Sequence, residues 1–234
     1  TMYSIAAGAV ESGASELFGP LSIVHEDAHL LVLDKPSGLL AVPGRGPDKA
    51  DCLSARALLR WPDARVVHRL DQATSGLMVL ARSAEVQRQL SAAFAERLVH
   101  KRYEAMVHGH LAPVAGSPAS PDGWGLIDLP IILDWPQRPR SKVDHTLGKP
   151  SQTRWRAVAH NPATRTTRLW LEPITGRSHQ LRVHLLAVGH PIVGDTLYGG
   201  ANDDAPRLML HAQALELAHP VGGHSMSFTS PTPF

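Results

Sequence analysis

The stretch from Val66 to Ala81 constrains the fold of this chain more than any other. Val66-Val67 is apolar, His68 to Gly76 is mostly polar, and Leu77-Met78-Val79-Leu80-Ala81 is apolar again. That order reads as strand, tight loop, strand. A short polar loop held between two buried strands is rigid and open to a ligand, and proteins place chemistry in such loops. If the first run stays extended, its period of two puts Arg69 and Asp71 on one face and His68 and Leu70 on the other. A guanidinium and a carboxylate then leave one edge of the sheet. The same spacing also suits a structural ion pair at a strand end.

A chain of 234 residues can build a sizeable core. Residues 1–20 are rich in Ala, Gly and Ser, lack the basic-then-apolar pattern of a secretory signal, and read as a flexible arm. Residues 21–234 then form a single domain. Apolar residues make up 43%, yet no run approaches the length a membrane span requires, so no membrane partner is expected. The single Cys52 excludes an internal disulfide and a multi-cysteine zinc site, and a cytoplasmic location is the default. Net charge is only +2, but its distribution is uneven. Arg138, Arg140, Lys142, Lys149, Arg154 and Arg156 stand against Asp144 alone, and Arg97, Lys101 and Arg102 form a second basic group. Such clusters on a near-neutral protein suggest a local footprint for a polyanion, although most charge runs are solvated faces.

Short apolar runs at Ile23-Val24 and Leu30 to Leu33, split by Glu26-Asp27, predict a β-hairpin. Leu53 to Leu59 predicts a short helix with Leu53, Ala57 and Leu58 on one side. Ser83 can cap a helix reaching about Leu98, with Val86, Leu90, Ala93, Phe94 and Leu98 facing inward and Arg97 and Lys101 at its negative end. Lys101 to Gly109 alternates as a strand, with Tyr103, Ala105 and Val107 on one face. Ala112 to Gly125 reads as a surface loop, and the prolines near Trp135 argue against regular structure there. Gln152 to Leu171 predicts a second hairpin, with Trp155 and Trp170 on its strands. After Ile174, Thr175 or Ser178 can cap a helix that Gly189 ends. Leu181, Leu185 and Val188 point inward, while His179 and Arg182 share another face. Many short strands and few helices give an α+β fold with a mixed, largely antiparallel sheet and flanking helices. No exposed heptad pattern suggests a dimer helix, so a monomer is expected.

Five segments in order resemble the RluA-type pseudouridine synthases. They are Lys35-Pro36-Ser37-Gly38-Leu39-Leu40, His68-Arg69-Leu70-Asp71 with Thr74-Ser75-Gly76, Lys101 to Gly109, Thr175-Gly176-Arg177-Ser178-His179-Gln180-Leu181-Arg182 with His190 to Tyr198, and Leu210-His211-Ala212. The resemblance runs from about Leu21 to Phe234. The stretch from Asp134 to Pro150 is similar to the branch associated with both large-subunit ribosomal RNA and tRNA. An S4-like RNA-binding domain is not expected before the catalytic region. The resemblance implies the pseudouridine-synthase fold, with an RNA-binding cleft crossing the middle of the sheet, and isomerisation of uridine within a structured RNA stem-loop.

That reaction breaks C1′–N1 and makes C1′–C5. No atoms or electrons enter, so no cofactor is required. The sequence shows no dinucleotide fingerprint, no P-loop and no metal-ligand motif. The reaction needs a carboxylate kept ionised in a partly dry pocket, which a nearby guanidinium favours. The resemblance assigns the catalytic roles to Asp71, Arg182 and Tyr103, with Tyr103 stacking on the uracil. It gives Arg69 the space left by the flipped base and makes Leu210 a wall of the uracil pocket. Arg138, Arg140, Lys142, Arg177, His179 and Gln180 are candidates for RNA contact. Two other readings are a glycoside-processing hydrolase, which would need a second carboxylate, and a non-catalytic RNA-binding module.

Overall fold

The computed structural model describes residues 19–46, 49–112, 122–200 and 203–234. The expected arm lies almost wholly outside the described residues, as do residues 113–121 of the expected surface loop. The predicted first hairpin is present as β1 (Ser22–Glu26) and β2 (Leu30–Lys35). Asp27 closes its turn, because Oδ1 accepts from the backbone N–H groups of His29 and Leu30. Helix α1 (Leu53–Arg60) and the two-residue strand β3 (Arg65–Val66) follow, then β4 (Ser75–Ala81). Helix α2 (Ala84–Ala95) begins at Ser83, whose Oγ accepts from Val86 N at 3.1 Å. The remaining strands are β5 (His100–His108), β6 (Gly125–Asp128), β7 (Ile131–Leu133), β8 (Ser141–Val143), β9 (Gln152–Asn161) and β10 (Thr166–Pro173). Helix α3 (Gln180–Ala187), β11 (Leu210–Ala218) and β12 (Ser225–Thr229) complete the described chain. None of these helices is long and apolar enough to cross a membrane.

The main sheet runs β1-β2-β4-β11-β5-β10-β9-β6, with β3 beside β4 and β12 beside β11. It is mixed: β4 and β11 pair parallel, and the other pairs among these strands are antiparallel. This is the expected α+β class. Strands β2 and β4 are buried on both faces, which explains their unbroken apolar runs. Leu30, Val32, Leu77 and Val79 meet α2, whereas Leu31, Leu33, Met78 and Leu80 meet α1. A third cluster joins β5, β10 and β11 to Leu181 and Leu185 of α3.

Strands β4 and β11 approach closely where Gly76 lies opposite Ala212. Gly76 has φ of +115°, and a Cβ there would sit 2.5 Å from the Ala212 backbone nitrogen. Only glycine satisfies both conditions.

Four expectations need correction. Leu58 is 45% exposed, because α1 buries Leu53, Ser54 and Ala57 instead. Helix α2 stops at Ala95: Arg97 adopts a left-handed φ of 63°, leaving Leu98 exposed and placing Lys101 in β5. Val188 is also exposed, past the end of α3, and Val183 takes an inward place. The proline-rich basic segment is ordered as a two-stranded antiparallel sheet of β7 and β8, with a 3-10 turn at Trp135–Gln137. Pro136 fits because the first turn of such a helix needs no N–H from it.

Candidate active site

The polar loop after β3 lies against the segment after β2. Thr74 N donates to Asp71 O at 3.1 Å, closing a turn over Gln72-Ala73. Lys35 is fully buried, and its Nζ donates to the carbonyls of Pro36 (2.9 Å), Leu39 (2.7 Å) and Gln72 (3.0 Å). Ser37 Oγ donates to Ala73 O, and Gly38 N to Gln72 O. Two segments distant in sequence thereby fix one turn. Burial draws the Lys35 ammonium down to about 8, with the Asp71 charge opposing that shift.

The run 67–70 is not paired as a strand, yet the expected alternation survives. His68 turns inward and stacks on Phe94 with ring centroids 4.4 Å apart, and its Nε2 accepts from Val79 N at 3.0 Å. Leu70 is buried, Arg69 is exposed, and Asp71 opens into a cleft of about 930 Å³.

Helix α3 brings the opposing charge. Arg182 is 3% exposed, and its Nη1 lies 3.6 Å from Asp71 Oδ2. The rest of its guanidinium is gripped by buried Asp195, Nε to Oδ2 at 2.8 Å and Nη2 to Oδ1 at 2.7 Å. Burial alone would lower the Arg182 pKa, but the Asp195 pair outweighs it and the net shift is upward. Asp195 Oδ1 also accepts from Leu197 N and Tyr198 N. Sequence reasoning noted Asp195 only within a resembling segment and gave it no role.

Tyr103 and Leu210 line the same cleft. Burial, with the Asp71 charge adding to it, holds the Tyr103 phenol well above its usual range, so it stays protonated. Arg69, Arg97, Lys101, Arg102 and Arg177 also border the cleft. Arg138, Arg140 and Lys142 do not: they lie on or beside the β7–β8 hairpin, with Arg138 stacked over the exposed Trp135 ring. Gln180, a candidate for RNA contact, is 4% exposed with its amide fully engaged inside the protein. It accepts from Thr175 Oγ1 and Arg177 N and donates to Gln152 O and Thr153 Oγ1, bonds that hold the turn before α3, and it also borders the cleft. Neither Thr175 nor Ser178 caps that helix: His179 occupies the N-cap without a side-chain capping bond.

The family model for RNA pseudouridylate synthase matches residues 29–187, a span that includes the Asp71 loop and α3. The chain belongs to the RNA pseudouridylate synthase family. As a pseudouridylate synthase it is an enzyme that isomerises uridine in RNA. It is 48% identical to the dual-specificity RNA pseudouridine synthase RluA of Escherichia coli (strain K12), over 92% of this chain and 94% of that one. Identity to the protein of the same name in Haemophilus influenzae is 43%, with the same coverage of both chains. Among solved structures, human RNA Pseudouridylate Synthase Domain Containing 1 aligns with a TM-score of 0.74 and 29% identity, covering 98% of this chain and 87% of that one.

Proposed function

We propose that this synthase acts on structured RNA stem-loops in both large-subunit ribosomal RNA and tRNA, and that Asp71 is the carboxylate that engages the target nucleoside. One observation carries the assignment of Asp71. It is the carboxylate at the cleft floor with a buried guanidinium 3.6 Å away, and that guanidinium is itself held from behind by Asp195. The fixed guanidinium supplies a countercharge beside the carboxylate, as an attacking anion requires. Tyr103 lies against the uracil and, as a neutral phenol, takes part in moving the sugar C2′ proton. Arg69 enters the stack from which the base departs, a step costing a few kcal/mol. Leu210 closes the side of the pocket. The dual specificity named for the Escherichia coli and Haemophilus influenzae relatives supports a reading with more than one RNA target.

The test uses the full chain with transcripts of ribosomal RNA and tRNA stem-loops, followed by chemical mapping of pseudouridine. Product in both transcripts is expected. Product in one alone removes the dual assignment. Asp71→Asn should leave RNA affinity and melting temperature near wild type while product falls below detection, and an active Asp71→Asn enzyme would remove Asp71 from the role.

A further inference from the structure

His179 has three features that a role in RNA contact does not explain. Its backbone is left-handed, with φ of 56°, which costs energy for a residue other than glycine. Its ring is largely buried and faces Asp71, with Nε2 3.9 Å from Oδ1. Its other nitrogen, Nδ1, lies 2.8 Å from the hydroxyl of Tyr198.

The hydrogen-bond partners of Tyr198 decide the tautomer. The hydroxyl oxygen already accepts from Ser141 N in β8 at 2.7 Å. The charged groups over its ring, Arg140 and Arg182, are cations and accept nothing. Among the described residues His179 Nδ1 is the acceptor within reach of that hydroxyl, which assigns the phenolic hydrogen to it and the single ring hydrogen of neutral histidine to Nε2, on the side of Asp71. Burial keeps the imidazole pKa below its usual value, opposed by Asp71 and Asp195 and reinforced by Arg182 and Arg69. Burial likewise raises Tyr198, keeping its hydroxyl protonated.

We propose that His179 is a positioning residue for Asp71: its Nε2–H, aimed by Tyr198, holds oxygen Oδ1 while Arg182 faces Oδ2. The 3.9 Å gap closes to hydrogen-bond length when RNA fills the cleft and excludes water. The carboxylate plane is then fixed from two sides. The inference rests on the reading of Asp71 as the engaging carboxylate.

Asparagine and glutamine separate this role from a structural one. His179→Asn suits the left-handed backbone and can still meet Tyr198, but it is too short to reach Asp71. His179→Gln extends an N–H donor to the position of Nε2. Single-turnover rates, RNA affinity and melting temperature are measured on the full chain. His179→Asn is expected to slow the chemical step about 10- to 100-fold with RNA affinity unchanged, the loss of one hydrogen bond to a charged group. His179→Gln should recover most of the rate. Overturning results are a wild-type rate for His179→Asn, a His179→Gln enzyme as slow as His179→Asn, or a loss that appears in RNA affinity instead. Asp71→Asn is the control: if it retains turnover the reading of Asp71 fails, whereas if it is dead and His179→Asn is fully active only the present inference fails.

Discussion

Asp195 shows how a side chain set back from the cleft can fix one that lines it. It binds Arg182 through both carboxylate oxygens and shares Oδ1 with two backbone N–H groups. Asp195→Asn leaves a buried guanidinium with one fewer countercharge, so a loss of about 3 kcal/mol is expected in denaturant unfolding. Histidine 68 makes a pH-dependent prediction. Burial first, then Lys101, lower its pKa to about 3, and its Nε2 is already used as an acceptor from Val79 N. In the unfolded chain it titrates near the ordinary histidine value of 6.5. Between those values the unfolded state binds the proton and the folded state does not, so His68 subtracts stability as pH falls through the window. Unfolding free energy measured from pH 7 to pH 4 should fall less steeply in His68→Leu. Asp71 and Arg182 were legible in sequence because their motifs are short and specific. Asp195 was not, because a two-oxygen grip between residues on separate elements leaves no local signature.

At the scale of elements, periodicity located helices and strands well and their inward faces less well. Helix α2 begins at Ser83 as expected, since capping is local. Leu58, Leu98 and Val188 were expected inside and are exposed, because each lies at or beyond the edge of what its helix packs against. The β7–β8 pair escaped detection because its strands are three residues each, too short for alternation to register beside several prolines. Two substitutions test the local arguments. Ser83→Ala should cost about 1 kcal/mol, the usual value of a helix N-cap. Gly76→Ala should cost more than the cap, because the added methyl meets backbone of β11 that cannot move alone. Thermal unfolding of the two variants side by side checks the order.

For the whole molecule, we propose that the basic rim of the cleft and the β7–β8 hairpin share the work of holding RNA. Phosphate contacts weaken with salt and are indifferent to sequence. Arg138→Ala and Arg140→Ala should therefore lower affinity alike for target and unrelated stem-loops and flatten the salt dependence, read by titration at several salt concentrations. Strand β11 has a wider consequence. It joins β4 to β5 in the middle of the sheet, yet it comes from residues 210–218. A ribosome making this chain delivers the keystone after both sides of the arch. Until then the strand pairings that join the half bearing Asp71 to the half bearing Tyr103 cannot form, so a nascent chain halted before that strand is expected to carry an unfinished cleft.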